Sequence, residues 1–305
     1  MNQDTKDLLK TIADISDTPS GAFNIRSNGK GVQRHCTENI NIIPKEDKPG
    51  IDIIVKENTK NESIHIPVVI TESGLNDLVY NDFEIGENSD ILIIAGCGIH
   101  NDGHAKSQHD GIHTFNIKKG AKLKYVEKHY GEGHGDGERV LNPTTIVNME
   151  ENSYCEMEMV QIAGVNSTIR ETTANLAKGA KLVVIEKLMT HDNQVAESNM
   201  TVYLNGEDAT VQVISRSVAK NNSQQIFHPA VVGNDKCKAH VQCDSIIMDK
   251  AKVRSVPEIA ANHTDAQMVH EAAIGRINNE QLIKLQTFGM DEEEAEGVIV
   301  EAFLN

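Results

Sequence analysis

The chain has 305 residues, with 29 Lys and Arg against 45 Asp and Glu, a formal net charge of −16. A chain this acidic repels a phosphate backbone, which argues against general nucleic-acid binding. Trp is absent and aromatics make up 4%, so core filling falls on Ile, Val, Leu, Met and Ala. The length admits about two domains, or one extended all-β domain. No run approaches the roughly 18 uninterrupted apolar residues of a membrane span, so no membrane association is expected. The N-terminus lacks the basic-then-apolar order of a secretion signal. Five widely spaced cysteines, Cys36, Cys97, Cys155, Cys237 and Cys243, are an odd number in a long chain. Reduced thiols and a cytoplasmic setting are therefore expected, not a disulfide framework.

In chain order, residues 5–16 predict an amphipathic helix with Leu8, Leu9, Ile12 and Ile15 on one side. The stretch 17–34 carries Pro and several Gly and reads as a loop or linker. From about Ile40 to Asn262 the texture changes to short β-branched runs: IDIIV, IPVVI, ILIIA, KLVVIEKL, TVYL and TVQVI. A weak repeat runs through them: FEIGENSDI (83–91), FNIKKGAKL (115–123), VNMEENSYC (147–155), ANLAKGAKL (174–182), VYLNGEDATV (202–211), VVGNDKCKA (231–239) and IIMDKAKV (246–253). Each is an apolar residue, a polar turn often with Gly or Asn, a small residue, then renewed alternation. The turns recur roughly 27–34 residues apart. Strand–turn units that cannot each bury a face alone predict a solenoid, here a β-helix, with a β-sandwich as the alternative. After Asn262 the pattern turns helical. Leu282, Leu285 and Phe288 form one stripe that Gly289 stops, and Asp291 with Glu294 makes a capping box for a second short helix. The expected organisation is a helix and linker over 1–40, a β-helix core over 41–262 and a C-terminal helical segment over 263–305.

Three constellations carry candidate chemistry. Cys97, His100, His104, His109 and His113 lie in GCGIHNDGHAKSQHDGIHTF, with His129 and His134 extending the region. Thiolate and imidazole suit zinc, iron or a cluster, but the spacing matches no standard zinc finger, and alternating strand faces keep all five from converging. Cys243 sits in an alternating strand beside Asp244 and Ser245; small core residue is the plainer reading. His270 and Glu271 precede a small-residue turn and a helix, as metal ligands or as a solvated helix start. No G-x-x-x-x-G-K-[ST], G-x-S-x-G or H-E-x-x-H motif is present, so neither ATP-hydrolysing nor esterase machinery is expected.

Together these residues resemble the SUF iron–sulfur cluster assembly scaffolds, the SufB/SufD group. Residues 243–304 resemble the family's C-terminal signature most closely: a CDS strand, a Pro rung, an HEA turn, a QL helix, a G-[IM]-x-E-E-x-A helix and a final phenylalanine. FNIKKGAKLKYVEKHYGEG and VLNPTTIVNMEENSYCEMEM resemble interior rungs, so the likeness spans about 115–304. It implies an all-β core, a right-handed parallel β-helix with short helical N- and C-terminal segments. It implies a scaffold, not an enzyme, that holds a transient iron–sulfur cluster at a subunit interface. It implies a SufC-like ABC ATPase docked on the C-terminal helices at 278–304, a sulfur donor and apo-protein acceptors.

By the same resemblance Cys243 matches the interfacial cysteine of SufB-type chains. His270 matches the interfacial histidine of SufD-type chains, and Glu271 the glutamate on the SufB side. All three occur here in one chain, so Cys243, Glu271 and His270 are the expected cluster ligands, and a homodimer, or a pair with a paralogous subunit, is the expected assembly. The chain departs from typical SufB in being shorter. Asn148 stands on the rung that carries a sulfur-receiving cysteine there, with Cys155 nearby but out of register. The His-rich loop resembles minimal SufBC-like systems of archaea and some anaerobes. A metalloenzyme acting on a carbohydrate or small molecule through residues 97–113 is the rival expectation, and a SufD-like partner that never holds a cluster is a third.

Overall fold

The structure is a computed structural model that describes residues 3–13, 15, 19 and 21–305. Helix α1 (Gln3–Ala13) leads into β1 (Ala22–Ser27), β2 (Lys30–His35), β3 (Ile40–Pro44), β4 (Gly50–Val55), β5 (Lys60–Ile70), β6 (Asn76–Ile85) and β7 (Asp90–His100). Next come β8 (Ser107–Ile117), β9 (Lys122–Glu132), β10 (Arg139–Leu141), β11 (Thr144–Met149), β12 (Tyr154–Ala163), β13 (Ser167–Leu176) and β14 (Lys181–Thr190). The last strands are β15 (Val195–Leu204), β16 (Thr210–Ala219), β17 (Gln224–Gly233), β18 (Lys238–Ile247), β19 (Lys252–Ser255), β20 (Glu258–Ala261) and β21 (Gln267–Gly275). Helices α2 (Asn279–Thr287) and α3 (Glu292–Leu304) follow.

From β5 onward the chain alternates between two sheets. One runs β2-β1-β5-β7-β9-β12-β14-β16-β18-β21, the other β19-β17-β15-β13-β10-β8-β6-β4-β3, with β11 pairing β8 and β13 and β20 pairing β17. All pairs from β5 onward are parallel; the hairpins β1–β2 and β3–β4 are the antiparallel ones. Each coil passes once through each sheet, which is the expected β-helix. Stacked residues are 27 to 32 positions apart.

The repeat seen in the sequence is the turn between coils. Asn88, Gly120, Asn152, Gly179 and Asp208 occupy it with φ between 54° and 66°. Only Gly, Asn and Asp enter this left-handed region readily. The residue after each, Ser89, Ala121, Ser153, Ala180 or Ala209, is buried where coils stack, so it must be small.

Inward side chains divide the interior in two. The half lined by the starts of the first sheet's strands and the ends of the second's is apolar: Leu123, Tyr125, Met157, Val184, Val213 and Val241 face Phe115, Val147, Leu176 and Val202. The other half is polar, with buried His109, His113, Glu127, His129, Gln161, Arg170, Glu186, Ser198, Ser215 and Gln225. Helix α1 closes one flank, burying Leu8, Leu9, Ile12 and Ala13 on Phe23, Ile25 and Val69, with Ile15 alongside. Burying each large side chain stabilises by about 1.5–3 kcal/mol. The helix expected over 5–16 is thus seen over 3–13, and residues 14 and 16 lie outside the described residues.

Two local expectations need correction. The stretch 17–34, read as a loop, contains the β1–β2 hairpin; residues 17, 18 and 20 lie outside the described residues. The region after Asn262, read as helical, first adds strand β21 to the sheet, and His270 and Glu271 sit within it and not at a helix start.

Candidate functional site

Cys243 lies on the inner face of β18, the last but one strand of its sheet. The register stacks it directly on Ser215 of β16, which stacks on Glu186 of β14. On its other side β21 places His270 beside Val241 and Ala272 beside Cys243. His270 shares the inward parity, and its Nε2 is 3.4 Å from Cys243 Sγ. Glu271 is the next residue in a strand and so points to the opposite face. There its Oε2 is 3.7 Å from His240 Nε2, and its side chain is 64% exposed. Within one chain the structure thus brings Cys243 and His270 together and sets Glu271 apart, on the outside of the same strand.

Burial pushes the Cys243 thiol up to about 11. Burial also lowers the His270 imidazole. At neutral pH the pair is therefore a thiol beside a neutral ring, and a soft cation that displaces the thiol proton finds a sulfur and a nitrogen ligand side by side. A cavity of about 20 Å³, room for one water, joins Cys243 to Glu186, Ser198, Ser215, Gln225 and Ser255.

Behind the pair runs a buried polar column. Ser215 Oγ donates to Glu186 Oε2 at 3.1 Å. Arg170, from the facing sheet, reaches Glu186 Oε1 at 3.8 Å through Nε and bonds Glu127 Oε2 through Nη1. The Tyr125 hydroxyl donates to Glu127 Oε1 at 3.0 Å. Burial works to raise the Glu127 carboxyl, but Arg170 and His129 hold it well below the usual carboxylate range. Sequence reasoning missed Glu127, Arg170 and Glu186. Their signal was parity: Glu127 lies between inward Tyr125 and His129, and Glu186 between inward Val184 and Leu188.

The His-rich segment scatters. Cys97 is buried against Val68, Ile70 and Ile99. His100 sits between Asp102 and Glu132, at 2.8 and 3.1 Å. His104 is exposed and pairs with Asp136, while His109 and His113 point inward. Among the described residues no group of three or more His, Cys, Asp or Glu side chains could hold a metal ion. Asn148 belongs to an outward amide ladder, donating to Asn116 and accepting from Asn175, each at 3.0 Å. Cys155 is a core residue, and all five cysteines are free thiols.

The last helices leave an apolar groove. Capping-box residues Asp291 and Glu294 start α3, which buries Ala295, Val300 and Leu304. Helix α2 buries none of its residues. Between them Ile246, Ile277, Leu285, Phe288, Val298 and Phe303 line about 580 Å³, rimmed by Arg276 and Lys284. Phe288 is 73% exposed.

By fold and site the molecule is a two-sheet β-helix with a part-buried Cys–His pair next to an open strand edge and an exposed helical pair beyond it. A family profile described as SUF system FeS cluster assembly, SufBD core domain, matches residues 76–303. An iron–sulfur cluster assembly SufBD family protein of Methanocaldococcus jannaschii is 30% identical over 256 residues, 83% of this chain and 79% of the relative. One from Pyrococcus horikoshii is 25% identical over 286 residues, 92% of this chain and 86% of its own length. A third, from Methanothermobacter thermautotrophicus, is 28% identical over 223 residues; the match spans 72% of this chain and about half, 53%, of that longer relative. The chain belongs to the SufBD family of iron–sulfur cluster assembly proteins.

Proposed function

We propose that the chain is a scaffold on which an iron–sulfur cluster forms transiently between two copies, with Cys243 and His270 of each copy and Glu271 at the shared edge as its ligands. The observation that carries this reading is the 3.4 Å contact between Cys243 Sγ and His270 Nε2, one strand in from the end of the sheet. β21 is that end strand, so one row of its backbone donors and acceptors is free for a second chain. Val269 and Ile274 on it, and Ile259 on β20, are exposed apolar residues that such pairing would cover. Edge-to-edge pairing about a two-fold axis is self-complementary and doubles every ligand. Imidazole and carboxylate hold iron less firmly than thiolate does, which suits a cluster that must leave.

The groove between α2 and α3 is the docking surface for a SufC-like ABC ATPase, whose ATP-driven motion works on the paired edge. The chain supplies the scaffold, and the partner supplies ATP hydrolysis; a sulfur donor and apo-protein acceptors complete the cycle in the cytoplasm. The rival enzyme reading through residues 97–113 loses support from the scattering of those side chains over both faces. Anaerobic reconstitution with iron and sulfide tests the site: Cys243→Ala is expected to abolish the iron–sulfur absorption, and undiminished absorption would refute the assignment. Co-expression with the ATPase tests docking: a chain ending at residue 277 is expected to lose it, and retained binding would refute it.

A further inference from the structure

The inner face of β8 presents His109, Gly111, His113 and Phe115 in succession. Two imidazoles therefore flank a position without a side chain. Each ring is anchored through Nδ1. His109 Nδ1 is 3.1 Å from Asp77 Oδ2, and Arg26 donates to the same carboxylate at 2.6 and 2.9 Å. His113 Nδ1 is 3.0 Å from the Tyr125 hydroxyl, whose own proton goes to Glu127. A carboxylate only accepts, and a hydroxyl that has given its proton away only accepts. A proton on Nδ1 of each ring satisfies these acceptors and leaves the ring's Nε2 as an acceptor. Burial lowers His113 to about 4, which keeps that ring neutral at physiological pH.

Both Nε2 atoms border the space over Gly111. A Cβ at Gly111 would lie 3.0 Å from His113 Nε2 and 3.5 Å from His109 Nε2. The His109 side chain is 3% exposed, and its Nε2 has no hydrogen-bond partner among the described residues. His113 Nε2 accepts from the Asn81 amide at 3.3 Å, the contact that a ligand bound here would replace. One unpartnered acceptor, beside a second held by a single long amide contact, is a place for a Lewis acid.

We propose that His109 and His113 form a metal site inside the β-helix, which takes a borderline divalent cation of the iron(II)–zinc(II) class through the two Nε2 atoms. Metal-ligating histidines give their other N–H to a carboxylate or an oxygen acceptor, and Asp77 and Tyr125 fill that role. A cavity of about 210 Å³ lies alongside, lined by Arg26 and Asn81, the residues that contact Asp77 and His113. With two protein ligands the ion keeps open positions for water or another small ligand, as an exchangeable site does and a closed structural site does not. The site is independent of the Cys243–His270 pair.

The test uses the full chain, stripped of metal and kept anaerobic, with zinc(II) and cobalt(II) as probes. One equivalent of zinc(II) is expected to shift the ¹⁵Nε2 resonances of His109 and His113 and leave exposed His104 unmoved. Gly111→Ala keeps both rings but fills the gap, and is expected to abolish those shifts. Asp77→Asn is expected to weaken cobalt(II) binding about 10–100-fold. Nε2 resonances that ignore excess metal would mean that water alone occupies the space, and would overturn the proposal without touching the cluster site. So would unchanged shifts in a folded Gly111→Ala chain. The wild-type spectrum decides the matter even where a variant fails to fold.

Discussion

Arg170→Met removes the cation that lies between Glu127 and Glu186. The three side chains are 4%, 1% and 7% exposed, so water cannot take the place of the guanidinium. At the 3.8 Å separation from Glu186 the attraction is about 4 kcal/mol for an effective dielectric near 20. Removing one partner of a buried pair costs about 3–5 kcal/mol, because the other charge stays buried without compensation. With two carboxylates left behind, the upper part of that range is expected from urea unfolding at pH 7. The loss should shrink on acidification. In the wild type, Glu127 is held below its ordinary value, so its contribution is present above that value and fades as pH falls. In the variant burial raises the same carboxyl, so the folded state takes up a proton and recovers stability as pH falls. Adding Glu127→Gln and Glu186→Gln to Arg170→Met should restore most of the loss. A single variant within about 0.5 kcal/mol of wild type, as at an ordinary surface position, would refute the reasoning. So would a triple variant less stable than the single one.

Alkylation of Cys243, followed on its own peptide, should reach half its limiting rate near pH 11 in the native chain. A midpoint near the ordinary thiol value of about 8.5 would show that the side chain is not buried as described. Asp291→Ala removes the capping box of α3 and should cost about 1 kcal/mol, seen as faster amide exchange in α3 with β13 unchanged. Gly120→Val forces a β-branched residue to φ +65°, with its Cβ 2.5 Å from Asn88 Oδ1, and should cost about 1–3 kcal/mol in thermal unfolding.

The coil was legible in the sequence because its turns demand unusual chemistry. A left-handed residue followed by a small buried one leaves a mark every 27 to 32 positions, and the parity of the strands between is strict. The ends were not legible, because there those demands lapse. All six residues of β2 are exposed, so the Gly-containing stretch around it shows no alternation. β21 closes its sheet with exposed Ala272, Ala273 and Gly275, which read as a turn leading into a helix.

At the site, parity places Cys243 inward, but its contact with His270 spans 27 residues and follows only from the length of the last coil. The separation of Glu271 from His270 was available in principle, since neighbours in a strand face opposite ways; it was hidden while His270 and Glu271 were read as a helix start. The same parity splits the His-rich segment. His109 and His113 are an even number of residues apart and share a wall, whereas His104 falls in a corner between strands.

If one cluster is shared by two chains at the β21 edge through Cys243, its mass belongs to the dimer. Anaerobic native mass spectrometry of the chain reconstituted with iron and sulfide measures this directly. The expected result is the cluster mass on the dimer, one per two chains, with both the cluster and the dimer it stabilises diminished in Cys243→Ala. A cluster carried by the single chain, or one that persists on the Cys243→Ala dimer, would contradict it.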